Sequence, residues 1–169
     1  MDLLLGAEQA PALAHKTGKR SAPTNSVQIL EGWRVHAFRR NARWTDQGNP
    51  KHTLEFTEVI RGRQLPAALE YWQCSNLLGL FIYIPNISMP HREVELLRAV
   101  NDLNCRVLVG NFELIPADRS VMFRITTNFA DAVLSTAFLD TIVDEAFKTV
   151  EESLPELMRA AWAKTSVSA

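Results

Sequence analysis

The fold turns on Leu77-Leu-Gly-Leu-Phe-Ile-Tyr-Ile-Pro85. This run is apolar on both faces and closed by proline. It is far shorter than the ~20 residues that cross a bilayer, so it reads as a strand that is central in a sheet or covered on both sides. Upstream, Leu54, Phe56 and Ile60 alternate with Glu55, Thr57 and Val59, the period of a half-buried strand. The loop Arg61-Gly-Arg-Gln-Leu-Pro66 leads to a second strand, Ala67 to Cys74, in which Leu69 and Tyr71 oppose Glu70 and Trp72. Ser75-Asn76 supplies the next turn. Three consecutive strands then form an antiparallel meander.

Downstream, Pro85-Asn-Ile-Ser88 stops the sheet, and Ser88 with Pro90 marks a helix start, because proline's missing N–H costs nothing in a first turn. The helix runs over Met89 to Arg106, with Val94, Leu97, Val100 and Leu103 as its apolar stripe and Leu96 beside them. A hairpin follows, Val107 to Ile115 and Ser120 to Thr127, turned by Pro116-Ala-Asp118. From Ser135, a helix N-cap, the period becomes helical, with Phe138, Ile142, Ala146, Val150 and Leu154 recurring every four residues and Leu139, Val143 and Phe147 alongside. Ser153-Leu-Pro-Glu156 has the form of a capping box, so a kink or restart is expected there.

The order strand, strand, strand, helix, hairpin, helix makes an α+β fold: a mainly antiparallel sheet with helices packed on it. Residues 1–26 read as a flexible tail, 27–164 as one domain and 165–169 as a frayed end. Within the domain, Val27, Ile29 and Leu30 suit a short helical turn, Trp33 to Phe38 a further strand, and Arg39 to Pro50 a polar, turn-rich connection.

At 169 residues the chain can bury a core without staples, and 47% hydrophobic with 22% charged residues is an ordinary globular composition. A net charge of −1 argues against a whole-surface nucleic-acid platform. The charge is uneven: ten Lys or Arg face six Asp or Glu before residue 64, and eight face thirteen after it. Met1-Asp-Leu-Leu-Leu-Gly6 is too short and lacks the basic flank of a signal peptide, which with the absence of a spanning run leads to a cytoplasmic expectation with no membrane contact. Cys74 and Cys105 have no metal-spaced partner and are expected as small buried hydrophobes.

Chemistry is sparse. His15, His36, His52 and His91 are far apart, no serine lies in a nucleophile elbow, and the glycines Gly62 and Gly79 are isolated, so neither a catalytic residue nor a metal or cofactor site is assigned. Asp140, Asp144, Glu145, Glu151 and Glu152 fit the solvated face of the last helix. Arg34, Arg39, Arg40 and Arg43, interleaved with Trp33 and Trp44, could pair phosphates and stack bases, though a charge-blunted strand edge explains the same residues. Asn101 and Asn104 lie near the buried stripe of the middle helix, where an amide can lock the helix end to the hairpin.

Trp72, Leu77 to Pro85, Val100-Asn-Asp-Leu-Asn104, Gly110-Asn-Phe-Glu-Leu114, Val121-Met-Phe-Arg124, the Ser135 helix and Leu154-Pro155 together resemble the YbjN-type family of bacterial sensory transduction regulators. The resemblance covers roughly residues 67–164 and, more weakly, 27–66. It implies a fold similar to type III secretion chaperones, often assembled as dimers, and a regulatory or chaperone-like role without catalytic or metal-binding residues. Met158-Arg-Ala-Ala-Trp162 departs from the family, as does the N-terminal tail.

The expectation is therefore a non-enzymatic protein that binds another protein, as a homodimer, through a sheet face carrying Trp72, Phe81, Tyr83, Met122 and Arg124. A nucleic-acid-binding regulator using Arg34 to Trp44 is the alternative.

Overall fold

Alternating apolar and polar residues give each strand one face to bury, and in the computed structural model these faces fall on one side of a six-stranded antiparallel sheet. The structure describes residues 43–46, 51–72, 74–87, 90–129 and 135–162. In chain order the strands are β1 (Arg43–Asp46), β2 (Lys51–Ile60), β3 (Arg63–Trp72) and β4 (Leu77–Ile84). Helix α1 (Glu93–Asn104), strands β5 (Asn111–Ile115) and β6 (Ser120–Asn128), and helix α2 (Thr136–Trp162) complete the domain. The sheet order is β1-β2-β3-β4-β6-β5. The meander, the middle helix and the hairpin are thus as the sequence reads, and the doubly apolar β4 lies inside the sheet between β3 and β6.

Both helices lie on one face. There Leu54 and Phe56, Leu65 to Tyr71 at alternate positions, Leu78 to Ile84 at alternate positions, and Val121, Phe123 and Ile125 are buried. Leu96, Val100 and Leu103 of α1 and Leu139, Val143, Ala146, Val150, Leu154 and Leu157 of α2 close over them in one cluster. Phe56 meets Phe147 of α2 with ring centroids 6.0 Å apart, and Phe112 meets Phe123 at 4.8 Å. Full burial of such a ring is worth about 1.5–3 kcal/mol, so this face carries the folding energy.

Turn chemistry sets the register. Arg61 and Gly62, at φ 51° and 77°, form the tight connection from β2 to β3 that suits the right-handed twist of a hairpin. Asn76, at φ 50°, turns β3 into β4, and Arg119, at φ 51°, follows the single helical turn Pro116–Asp118 between β5 and β6. Asn104 ties α1 to the sheet. Its Oδ1 accepts from the Phe112 N–H at 2.7 Å and its Nδ2 donates to the Phe112 carbonyl at 2.9 Å. One side chain therefore satisfies both outward groups of a strand residue, as a neighbouring strand would.

Several expectations need correction. The polar connection over 39–50 contains β1, which extends the β2 edge with Arg43 opposite Glu55 and Trp44 opposite Leu54. Strand β3 begins at Arg63 rather than Ala67 and takes Pro66 in its course. The ladder to β4 starts only at Ala67, so Pro66 sits where β3 has a single neighbour, a position a proline tolerates. Val107 to Gly110 is loop, not strand, and β5 starts at Asn111. Gly110 sits at φ 86°, and a Cβ there would lie 2.6 Å from the Phe123 ring and 2.7 Å from the Arg124 carbonyl oxygen.

Both helical stripes depart from the expected ones, for one reason. Steps of three fall 60° short of a full turn and steps of four overshoot by 40°, so a stripe kept at one spacing winds round the helix. In α1 the buried set is Leu96, Ala99, Val100 and Leu103, while Val94 and Leu97 are exposed. In α2 the expected Ala146, Val150 and Leu154 are buried with Leu139, Val143 and Phe147 beside them, followed by Leu157 and Ala161, and only the start of the stripe shifts, Phe138 being turned outward.

Helix α1 begins after a single turn, Pro90–Arg92, and has no side-chain N-cap; Ser88 lies outside the described residues. Ser135 does cap α2, its Oγ accepting from the Phe138 N–H at 3.1 Å. Pro155 neither breaks nor restarts α2, and Ser153 is no cap, since its hydroxyl donates to the Thr149 carbonyl at 2.8 Å. The packing of Leu154, Leu157 and Ala161 on either side of the proline holds the helix through it. Cys74 and Cys105 are exposed, in the β3–β4 turn and at the end of α1, where the chain leaves the core.

The expected tail, the turn at Val27 to Leu30, the strand Trp33 to Phe38 and the frayed end lie outside the described residues. Among the described residues no helix is long and apolar enough to cross a membrane.

Candidate functional site: the aromatic face of the sheet

The alternation that sends Leu78, Leu80, Ile82 and Ile84 to the helices sends Leu77, Gly79, Phe81 and Tyr83 to the opposite face. Register then decides what stands beside them. Phe81 is flanked by Ala68 on β3 and Arg124 on β6, and Tyr83 faces Met122. Trp72 pairs with Leu77. The five residues Trp72, Phe81, Tyr83, Met122 and Arg124 are thus brought onto one face of three adjacent strands. Trp72, Phe81 and Tyr83 are half-buried, Met122 is nearly covered and Arg124 is exposed.

Gly79 is the floor of this patch. Phe81 and Trp72 meet edge to face with centroids 6.2 Å apart, and a Cβ on Gly79 would lie 2.7 Å from the Phe81 ring and 2.9 Å from the Trp72 ring. The missing side chain leaves the room in which the two rings meet, so the sequence's isolated glycine serves aromatic packing.

Ion pairs frame the rings. On one side Lys51 reaches Glu70 at 2.7 Å and stands 5.5 Å from the Trp72 ring centroid, a cation over the negative face of the indole. On the other, Arg124 reaches Glu113 at 2.7 Å and donates to Asn111 Oδ1 at 3.3 Å. Burial, then the nearby Glu70 carboxylate, raises the Tyr83 phenol above its ordinary value. Tyr83 therefore stays a neutral hydroxyl that can donate or accept one hydrogen bond. The patch is thus an apolar aromatic centre with a charged, hydrogen-bonding rim.

The other candidates do not assemble. Arg34, Arg39 and Arg40 lie outside the described residues, and Arg43 and Trp44 are placed only as backbone of β1. His15 and His36 also lie outside, His91 is exposed, and no group of three metal-capable side chains occurs among the described residues. Asp144, Glu145 and Glu152 are exposed on α2, and Glu151 stands 3.6 Å from Arg61. Asn101 is exposed, leaving the structural role to Asn104.

Sequence reasoning missed a second surface, around the loop that follows α1. Leu108, Val109 and Phe138 are exposed beside a groove between that loop and α2. The signal in the sequence is an apolar Val-Leu-Val directly before a glycine, a pattern that imitates a strand start.

No family model matches the chain, and no curated protein matches its sequence. A solved structure does share its fold: the crystal structure of YbjN, a proposed transcription regulator from E. coli, superposes with a TM-score of 0.52 at 8% identity. The match covers 80% of this chain and 90% of that one. The likeness is one of distant architecture, a YbjN-like fold.

Proposed function

We propose that the chain is a non-enzymatic regulatory or chaperone-like protein, and that it binds another protein through the face carrying Trp72, Phe81, Tyr83 and Met122. The first partner is a second copy of the chain. The supporting observation is the contiguity of these side chains on the sheet face opposite both helices, with Phe81 and Trp72 packed over Gly79. Rings fixed in this way lose little conformational freedom on docking, and aromatic residues dominate binding energy at protein interfaces. The Lys51–Glu70 and Arg124–Glu113 pairs at the rim supply orientation.

Sedimentation equilibrium on the full chain tests this. The wild type is expected at twice its 19.0 kDa and the Tyr83→Glu variant at the monomer mass, with far-UV circular dichroism unchanged. A wild-type monomer, or a dimer indifferent to Tyr83→Glu, would refute the reading.

A further inference from the structure

The groove beside the loop following α1 is independent of the aromatic face. It encloses about 620 Å³ between that loop and α2. Leu103 and Ile125 form part of its lining, Val109 and Leu108 one wall, and Phe138 and Ile142 of α2 the other. Scattered exposed leucines need no explanation, but this is a cluster: Leu108 is 98%, Val109 60% and Phe138 39% exposed around one depression.

The loop is also firmly anchored. The Arg106 and Val107 N–H groups both donate to the Leu103 carbonyl, at 2.9 and 3.0 Å. Asn104 grips Phe112, and Gly110 presses against Phe123 and the Arg124 backbone. Leu108 is thus held in solvent by a braced loop. The groove has a sign as well. Glu145, Glu152 and Glu156 line it from α2 against a single cation, Arg106. Arg106 Nη2 donates to both oxygens of Glu156 at 2.7 Å, so that cation is already engaged. Glu145 and Glu152, seven residues apart, rise from one flank of the helix about 10 Å apart.

We propose that this groove docks a basic amphipathic helical segment of a partner protein, its leucine-type side chains between Leu108 and Phe138 and its lysines or arginines along Glu145 and Glu152. An apolar trough with a one-sided acidic wall fits that segment, by helix-in-groove recognition combined with charge complementarity. Among the described residues only the exposed Lys148, 4.0 Å from Glu145, pairs with these two carboxylates, so an acidic or uncharged helix would add no counter-charge along Glu145 and Glu152.

The test uses the full chain and a fluorescein-labelled 18-residue peptide whose helix has a leucine face and a lysine face. Fluorescence anisotropy is expected to show saturable micromolar binding that weakens with salt. A peptide of the same composition in scrambled order is expected to bind at least tenfold more weakly. Leu108→Ser, and separately Glu145→Lys with Glu152→Lys, are expected to cost tenfold or more, while Tyr83→Glu leaves the affinity unchanged. Leu108 is almost wholly in solvent, so its serine variant retains the fold.

Equal binding of the scrambled peptide, or indifference to either groove variant, overturns the proposal. A fall in the chain's own sedimentation mass on Leu108→Ser overturns it in favour of a second copy as occupant. Tighter peptide binding on Lys16→Glu with Lys19→Glu, the two lysines of residues 1–26, overturns it in favour of that N-terminal segment of the chain as occupant.

Discussion

The two faces of the sheet are built from the same strands, yet they differ in how their large side chains are held. On the helix face Leu80, Ile82 and Phe123 are wholly enclosed by α1 and α2. On the other, Phe81 and Tyr83, their neighbours along β4, are only half-buried, Phe81 packing with Trp72 over Gly79. The helix face converts apolar area into folding energy. The aromatic face fixes rings without covering them, the arrangement on which the proposed binding role rests.

Two ring truncations separate these roles most strongly. Phe123→Ala removes an enclosed ring and is expected to cost about 3–5 kcal/mol of stability by urea denaturation. Phe81→Ala, half-exposed, is expected to cost about 1 kcal/mol. Equal losses would erase the distinction between the faces. Next comes Asn104→Leu, which leaves the Phe112 N–H and carbonyl without their amide partner. At about 1–3 kcal/mol for each orphaned group, its melting temperature is expected to fall clearly, and an unchanged value would show that the amide is dispensable.

Gly79→Ala sharpens the account of the floor. The new methyl must lift the Phe81 and Trp72 rings, so tryptophan emission is expected to shift to the red, with stability lowered by about 1 kcal/mol or less. Unaltered emission would mean that the rings do not rest on Gly79.

The smallest effect is the pH dependence of Tyr83. Its phenol is raised above 10.0 by burial first and Glu70 second. Below pH 10 both folded and unfolded chains carry the proton, and above it the unfolded chain loses its proton first. Stability therefore falls as pH rises from 10 through the folded value. Denaturation at pH 9 and pH 11 is expected to show a smaller alkaline loss in Tyr83→Phe than in the wild type.

What the sequence disclosed follows from the range over which each signal acts. Alternation in β2, the apolar run of β4 and the proline turn before β6 are local and strong, so the meander and hairpin were legible, as was Asn104 as a latch. Helix faces were legible only as amphipathic. Choosing Leu96 over Leu97, or Leu139 over Phe138, depends on the angle at which each helix meets the sheet. Strand β1 and the start of β3 were hidden because their ladders, not their propensities, make them strands; Arg63, Gln64 and Pro66 read as loop until β2 pairs with them. The exposed Leu108 was hidden for the opposite reason, its apolar neighbours imitating a strand that Gly110 interrupts. Assembly of Trp72, Phe81, Tyr83, Met122 and Arg124 on one face was legible once parity and strand order were known.

The most direct measurement places a photoreactive benzoylphenylalanine at position 83 of the full chain, with a second variant carrying it at exposed position 98 on α1, on the opposite side of the sheet, as the control. On irradiation of the purified protein, position 83 is expected to give a covalent species at twice 19.0 kDa in high yield and position 98 little or none. A monomer band alone from position 83, or equal yields from the two positions, would contradict the claim that the aromatic face is where the chain meets its partner.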